Sequence, residues 1–110
     1  MPVPEVDVET CAGWLAAPEG ERPALLDVRT PGEFALAALP GAVLVPLHEM
    51  EEADAVLEPL RGRRVVVYCH HGVRSLHGAA YLLQRGMEAW SLRGGIDAWS
   101  LRVDPRVPRY

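Results

Sequence analysis

The chain has 110 residues, of which 49% are hydrophobic and 24% charged, so length and composition predict one compact domain spanning residues 1–110. Fifteen acidic residues against eleven basic ones give a net charge of -4, which argues against nucleic acid as a partner because phosphate binding needs an excess of positive charge. All eleven basic residues are arginine, and the lack of lysine excludes Schiff-base and P-loop lysine chemistry.

Four short apolar runs alternate with stretches of helical spacing, a pattern typical of an α/β domain with a mostly parallel sheet. The runs cover residues 25–28, 42–45, 64–69 and 89–92. Within the third run, Val65, Val66, Val67 and Tyr68 show no alternation with polar residues. This favours a central strand that is covered on both faces.

Two helix starts carry capping signals in the first third of the chain. Asp7 is a candidate N-cap for a helix over residues 8–17, which Pro18 would end. Thr30 is followed by Pro31 and, three positions after the cap, by Glu33, which matches a capping box. We therefore predict a short second helix that reaches about residue 37.

Three further helices are predicted in the second half. Apolar residues at helical spacing among five acids predict a helix over residues 48–60, and a packed helix starts at Arg74 and ends near Gly86. A short helix over residues 96–99 follows. The domain core covers about residues 4–100, and the proline-rich tail over 101–110 is expected to be irregular.

The segment with the strongest chemical signal lies between the predicted central strand and the helix that starts at Arg74. It reads Cys69, His70, His71, Gly72, Val73, Arg74, Ser75. Open α/β sheets place their sites at the carboxyl ends of central strands, where the amides and dipole of the next helix favour an anion. A cysteine there is favoured as the nucleophilic thiolate, Gly72 lets several amides converge, and Arg74 adds a fixed positive charge. The segment predicts a cradle for a thiolate and an anionic substrate, provided that solvent can reach the sulfur.

The spacing of Cys69, Gly72, Arg74 and Ser75 resembles the active-site loop of the rhodanese family, the persulfide-forming sulfurtransferases. Other matching stretches are Leu-Asp-Val-Arg at 26–29 followed by Glu33 and Phe34, Pro-Gly-Ala at 40–42, and Gly-Gly-Ile-Asp-Ala-Trp at 94–99. The resemblance implies a single domain with a central, mostly parallel five-stranded sheet and helices on both faces.

The resemblance also implies a reaction. The Cys69 thiolate would take the sulfane sulfur of thiosulfate or a similar small anionic donor, and a persulfide would pass it to cyanide, a thiol or a partner protein. Residues 70–75 of the loop would bind the substrate, and no cofactor is implied. Two alternatives stay open: a non-catalytic or regulatory binding module with this fold, and a phosphate or arsenate enzyme. The second needs five residues between Cys and Arg, where this chain has four.

The remaining chemically interesting residues are expected to have supporting roles. Asp27 and Arg29 follow a strand end near the site, where we expect a scaffold role with Arg29 paired to Glu33. His70 and His71 should line the rim of the loop and attract anions rather than bind a metal, because consecutive residues cannot direct three side chains at one tetrahedral ion. Cys11 is expected to be a small buried hydrophobe.

The sequence also carries signals on location. No apolar stretch is long enough to cross a bilayer, and residues 1–7 have neither the basic region nor the apolar core of a secretory signal. These features predict a cytoplasmic protein that has no membrane partner.

Overall fold

The computed structural model describes residues 2–110 and contains a five-stranded sheet in which all paired strands are parallel. The strands are β1 (Glu5–Val6), β2 (Ala24–Asp27), β3 (Val43–Leu44), β4 (Val65–Tyr68) and β5 (Ala89–Leu92). Their order across the sheet is β1-β5-β4-β2-β3, so β4 is the central strand. The predicted α/β class and parallel sheet are confirmed.

Helices cover both faces of the sheet. They are α1 (Val8–Leu15), α2 (Pro31–Leu36), α3 (Asp54–Leu57), α4 (Arg74–Gln84) and α5 (Gly95–Arg102). Side chains alternate along β4, so Val65 and Val67 belong to one buried cluster and Val66 and Tyr68 to the other. The first cluster receives residues of α3 and α4, and the second receives residues of α1 and α5. This two-sided burial explains the unbroken apolar run of β4.

Both predicted N-caps are present. The Asp7 carboxylate accepts a hydrogen bond from the Thr10 amide at 2.7 Å. At the start of α2, Thr30 Oγ1 accepts from the Glu33 amide and Glu33 Oε1 accepts from the Thr30 amide, both at 3.2 Å. This is the reciprocal capping box that the sequence predicted.

The predicted continuous helix over residues 48–60 is wrong. The segment forms a 3-10 turn at Leu47–Glu52, the four-residue helix α3 and a second 3-10 turn at Glu58–Leu60. The backbone of Ala53, at φ -103° and ψ 23°, interrupts the helix, and Pro59 has no amide hydrogen to donate. Apolar residues of the segment still reach the core, so the spacing identified the buried side chains but not the backbone path.

The chain beyond α5 follows the surface without regular secondary structure. Helix α5 continues to Arg102, two residues past the expected end of the core, and residues 103–110 form turns and coil. The Val107 side chain is buried in the cluster that contains α1 and α5. Within residues 2–110, no helix combines the length and the apolar character needed to cross a membrane.

Candidate active site

Cys69 directly follows the central strand, and its sulfur lies at the amino end of α4. The backbone amides of Gly72 and Ser75 donate hydrogen bonds to Sγ at 3.1 and 3.4 Å. Among residues 2–110, no side chain supplies the usual oxygen cap to this helix. The sulfur takes that place, and it therefore lies where free amides and the helix dipole favour negative charge.

A buried pair of serines stands behind the sulfur. Ser75 Oγ lies 3.5 Å from Cys69 Sγ and 2.7 Å from Ser91 Oγ, and both serines are fully buried. Ser91 belongs to β5 and is paired with Val67 of the central strand. Sequence reasoning missed Ser91, although it is the one polar residue of β5 and sits beside the strand that carries the cysteine.

Two glycines allow the loop to pack against the amino end of α5. Gly72 has φ +103°, and a Cβ there would lie 3.1 Å from the Gly94 nitrogen. A Cβ on Gly95 would collide with the carbonyl oxygens of Cys69 and His70. This close approach lets the amides of α5 donate to those same carbonyls, at 2.9 and 3.1 Å. The loop is thus held from behind by a second helix start.

Arg74 projects from the first turn of α4 and pairs with Glu33. Its two terminal nitrogens donate to the two carboxylate oxygens at 2.6 and 2.9 Å. The hydrogen bond to Arg74, opposed by partial burial and assisted by Tyr110, holds the pKa of Glu33 well below its usual range. The Glu33 carboxylate therefore fills the position at the Arg74 guanidinium where an external anion could bind.

The expected ion pair between Arg29 and Glu33 is wrong, because Arg29 pairs with Asp27. Both side chains are fully buried, and Arg29 Nε donates to Asp27 Oδ1 at 2.9 Å. A further bond runs from Arg29 Nη2 to the Ala37 carbonyl at 2.6 Å. Burial opposes the charge, but the hydrogen bonds of Asp27 and Tyr110 outweigh it and raise the pKa of Arg29. The pair ties the end of β2 to the end of α2, beside the loop.

The two histidines form one side of the rim. Their rings are stacked, with centroids 3.9 Å apart. Burial, together with the neighbouring His71, lowers the pKa of His70, which disfavours its charged form. His70, His71 and Asp97 place potential ligand atoms within 4.8 Å of one another, but both carboxylate oxygens of Asp97 already accept from Arg109 at 2.9 and 3.4 Å.

Tyr110 completes the rim, a role that sequence reasoning missed. Its ring stacks on His70 with centroids 4.0 Å apart and planes 11° apart. Its hydroxyl accepts from Arg29 Nη1 at 2.8 Å and donates to Glu33 Oε2 at 2.7 Å. Proline content marked this segment only as irregular, and no local pattern identifies a partner some 80 positions away.

The candidate nucleophile itself is buried. Cys69 is 1% exposed, whereas Val73 at the tip of the loop is 67% exposed. The accessible sulfur expected from the sequence is not present in this conformation, so neighbouring side chains must move before a reagent can reach Cys69. The other cysteine, Cys11, is fully buried in the cluster on the opposite face of the sheet, and burial raises its pKa to about 11. It is the buried hydrophobe that was expected.

A cavity of about 430 Å³ lies away from this loop, at the amino ends of the strands. Its lining includes Arg22 and Ala24 at the start of β2 and Leu60 and Arg63 just before β4. No residue of the 69–75 loop contributes to it, and its lining has no cysteine or histidine. The chemistry of the chain is concentrated at the carboxyl end of the sheet, where open parallel sheets place their sites.

Comparisons with known proteins agree with this geometry. Residues 12–102 match the family described as the rhodanese-like domain. A sulfurtransferase of Allochromatium vinosum is 39% identical over 84 residues, which cover 76% of this chain and 75% of the relative. The human single-domain sulfurtransferase TSTD1 superimposes with a TM-score of 0.73 at 25% identity, over 91% of this chain and 97% of that one. A thiosulfate sulfurtransferase of Pseudomonas aeruginosa gives a TM-score of 0.76 at 29% identity, over 90% of this chain and 19% of that one. The chain therefore belongs to the rhodanese-like domain family.

Proposed function

We propose that this protein is a sulfurtransferase that moves a sulfane sulfur from thiosulfate, or a similar small anionic donor, to a thiophilic acceptor through a persulfide on Cys69. The observation that carries the proposal is the placement of Cys69 Sγ at the amino end of α4, where two backbone amides donate to it. The sulfurtransferases among its relatives support the same reaction class. The thiosulfate-acting relative supports the choice of donor.

In the first half-reaction the Cys69 thiolate attacks the outer sulfur of thiosulfate. A sulfur–sulfur bond forms to Cys69, the bond between the two donor sulfurs breaks, and its electron pair leaves with sulfite. The negative charge stays on the terminal sulfur of the new persulfide. The Gly72 and Ser75 amides can stabilise the thiolate before transfer and the persulfide anion after it. Preorganised donors in anion holes act in the same way.

In the second half-reaction an acceptor attacks that terminal sulfur. With cyanide the products are thiocyanate and the original thiolate, and a thiol acceptor would leave as a persulfide. In each half-reaction one nucleophile displaces another from the transferred sulfur, so the electrons balance without a metal or redox cofactor. Two successive transfers through one covalent intermediate predict ping-pong kinetics.

Arg74 supplies the charge that would meet the oxygens of the donor. Its fork is filled by the Glu33 carboxylate, which presents two oxygens at 2.6 and 2.9 Å. A donor sulfonate carries oxygens of the same charge and similar spacing, so it can replace Glu33 at the guanidinium. Donor binding is therefore an exchange of one anion for another at Arg74.

The test is intact-protein mass spectrometry after incubation with thiosulfate. We expect the parent protein and a Cys11→Ala variant to gain the mass of one sulfur atom, and a Cys69→Ser variant to gain none. Cyanide should then remove the added mass and release thiocyanate. If the parent gains no sulfur although iodoacetamide alkylates Cys69, the sulfurtransferase proposal fails and the binding-module alternative takes its place.

A further inference from the structure

The segment that ends in Tyr110 is attached to the rim at several points. The Val107 side chain is buried, and the Asp104 amide donates to the Trp99 carbonyl at 2.9 Å. Arg109 Nε donates to Asp97 Oδ1 at 2.9 Å, and Tyr110 bonds to side chains of two other elements. The family match ends at residue 102, so this attachment lies beyond the matched residues.

Tyr110 contacts two sides of the rim, one through its ring and the other through its hydroxyl. The ring lies on His70, the residue that follows the candidate nucleophile, in a nearly parallel stack. The hydroxyl bonds to Glu33, and Glu33 in turn holds Arg74. Tyr110 is thus connected to both the loop and Arg74, while Cys69, which precedes His70 in the loop, is 1% exposed.

We propose that Tyr110 is a specificity-determining residue, which closes the rim over Cys69 and admits small anionic donors in preference to bulky reagents. This inference rests on the proposed function for the identity of the donor. The Tyr110 hydroxyl donates to Glu33. A small anion that displaces Glu33 from Arg74 therefore also releases a group that holds Tyr110 in place, and in this way the donor promotes its own entry. A bulky or uncharged reagent has no such exchange and must wait for the stacked ring to leave.

The experiment measures access to the sulfur without requiring sulfur transfer. In a Cys11→Ala background, Cys69 is alkylated with iodoacetate as the small anionic reagent and with N-(1-pyrenyl)maleimide as the bulky uncharged one. The ratio of the bulky to the small rate constant is compared between the parent, Tyr110→Ala and Tyr110→Phe, and circular dichroism verifies that each variant is folded. Leu101→Ala, which alters an exposed side chain of α5, is the control for a general effect of surface substitution.

We expect the ratio to rise by about 30-fold in Tyr110→Ala, because this variant loses the hydroxyl bonds to charged groups and also the stack on His70 in a rim-opening equilibrium. Tyr110→Phe keeps the stack on His70 but loses both hydroxyl bonds, so a smaller rise of about tenfold is expected. Leu101→Ala should leave the ratio unchanged.

A ratio in Tyr110→Ala equal to that of the parent would overturn the role of Tyr110. The outcome is separate from that of the proposed function, because alkylation proceeds whether or not thiosulfate loads sulfur onto Cys69. If thiosulfate fails to load the parent but the ratio rises in Tyr110→Ala, the rim assignment stands and the sulfurtransferase proposal falls.

Discussion

At the scale of single residues, the Cys69 sulfur serves as the cap of a helix. Cap positions are normally occupied by oxygens of Ser, Thr, Asp or Asn, which satisfy amides that have no partner within the helix. Here Sγ accepts from Gly72 and Ser75, and the Ser75 hydroxyl lies within 3.5 Å. Hydrogen bonds are stronger when the acceptor carries a charge, so these amides are placed to bind an anionic sulfur such as the proposed persulfide. The contact that caps the helix is therefore also the one that would support the proposed nucleophile.

Substitution of Arg74 should affect substrate binding much more than the stability of the fold. We expect Arg74→Ala to slow sulfur loading from thiosulfate by about 100-fold, because the variant lacks the charge that would meet the donor oxygens. The free energy of unfolding should fall by only about 1 kcal/mol, since the pair with Glu33 is partly exposed to solvent. Rapid-quench loading and urea denaturation measure the two effects.

Arg74→Lys is the matched variant for this prediction. Lysine keeps the charge but lacks the planar fork, so its loading rate should lie between those of the parent and Arg74→Ala. If Arg74→Ala loads sulfur as fast as the parent, Arg74 has no part in donor binding.

At the scale of elements, the site depends on two helix starts that meet at one loop. Helix α4 directs amides at the sulfur, and α5 directs amides at the carbonyls of Cys69 and His70. The amino ends of both helices face the loop because both follow parallel strands, whose carboxyl ends share one edge of the sheet. The Gly94–Gly95 pair, read in the sequence as a family motif, has a steric role here.

Gly95→Ala tests this contact. The new Cβ would collide with the carbonyl oxygens of Cys69 and His70, and the residue has φ +62°, a conformation that alanine disfavours. We expect a loss of about 3 kcal/mol or more in the free energy of unfolding, measured by urea denaturation.

Gly13→Ala is the control substitution. Gly13 lies inside α1, a Cβ there meets no atom within 4 Å, and the backbone is helical. This variant should gain about 0.5–1 kcal/mol, because alanine is the better helix former. Equal stabilities of Gly95→Ala and the parent would show that the loop and α5 do not pack as described.

At the scale of the whole molecule, Glu33 joins parts of the chain that are far apart in sequence. Its carboxylate accepts from Arg74 at the start of α4 and from Tyr110 in the last segment, while it also closes the capping box of α2 with Thr30. The two Arg74 bonds span 41 positions, and the Tyr110 bond spans 77. Removing this one charge therefore affects three elements at once.

The lowered pKa of Glu33 predicts how stability depends on pH. A carboxyl whose pKa is lower in the folded protein than in the unfolded chain stabilises the fold fully above its unfolded value, here 4.5. That contribution disappears as the pH falls through the folded value. At pH 7 the free energy of unfolding of the parent should be higher than that of Glu33→Gln by on the order of 2 kcal/mol. This difference should shrink steadily as the pH falls from 5 to 2.

Urea denaturation of both proteins across this range measures the difference, and Glu58→Gln is the matched control. Glu58 also pairs with an arginine, at 3.0 Å, but its side chain is 69% exposed. Its substitution should change stability little at any pH. A difference between the parent and Glu33→Gln that does not vary with pH would contradict the network described here.

Local signals in the sequence were sufficient for the class of fold and for the position of Cys69 at the end of the central strand. The Asp7 and Thr30 caps join residues only three positions apart, so the spacing along the chain already defines the contact. The apolar run before Cys69 identified the central strand because burial on both faces leaves no polar positions. For residues 48–60 the same type of reasoning failed, since periodicity reports which side chains are buried but not whether the backbone remains helical.

The sequence alone determined that this chain is an α/β domain whose cysteine follows the central strand and precedes a helix. Only the tertiary structure decided which partner each charged group has. Asp27 pairs with Arg29, Glu33 pairs with Arg74, and the Tyr110 hydroxyl links these two ion pairs at the rim. Arginine can pair with any carboxylate that its side chain reaches, so the choice depends on how the elements pack rather than on spacing along the chain.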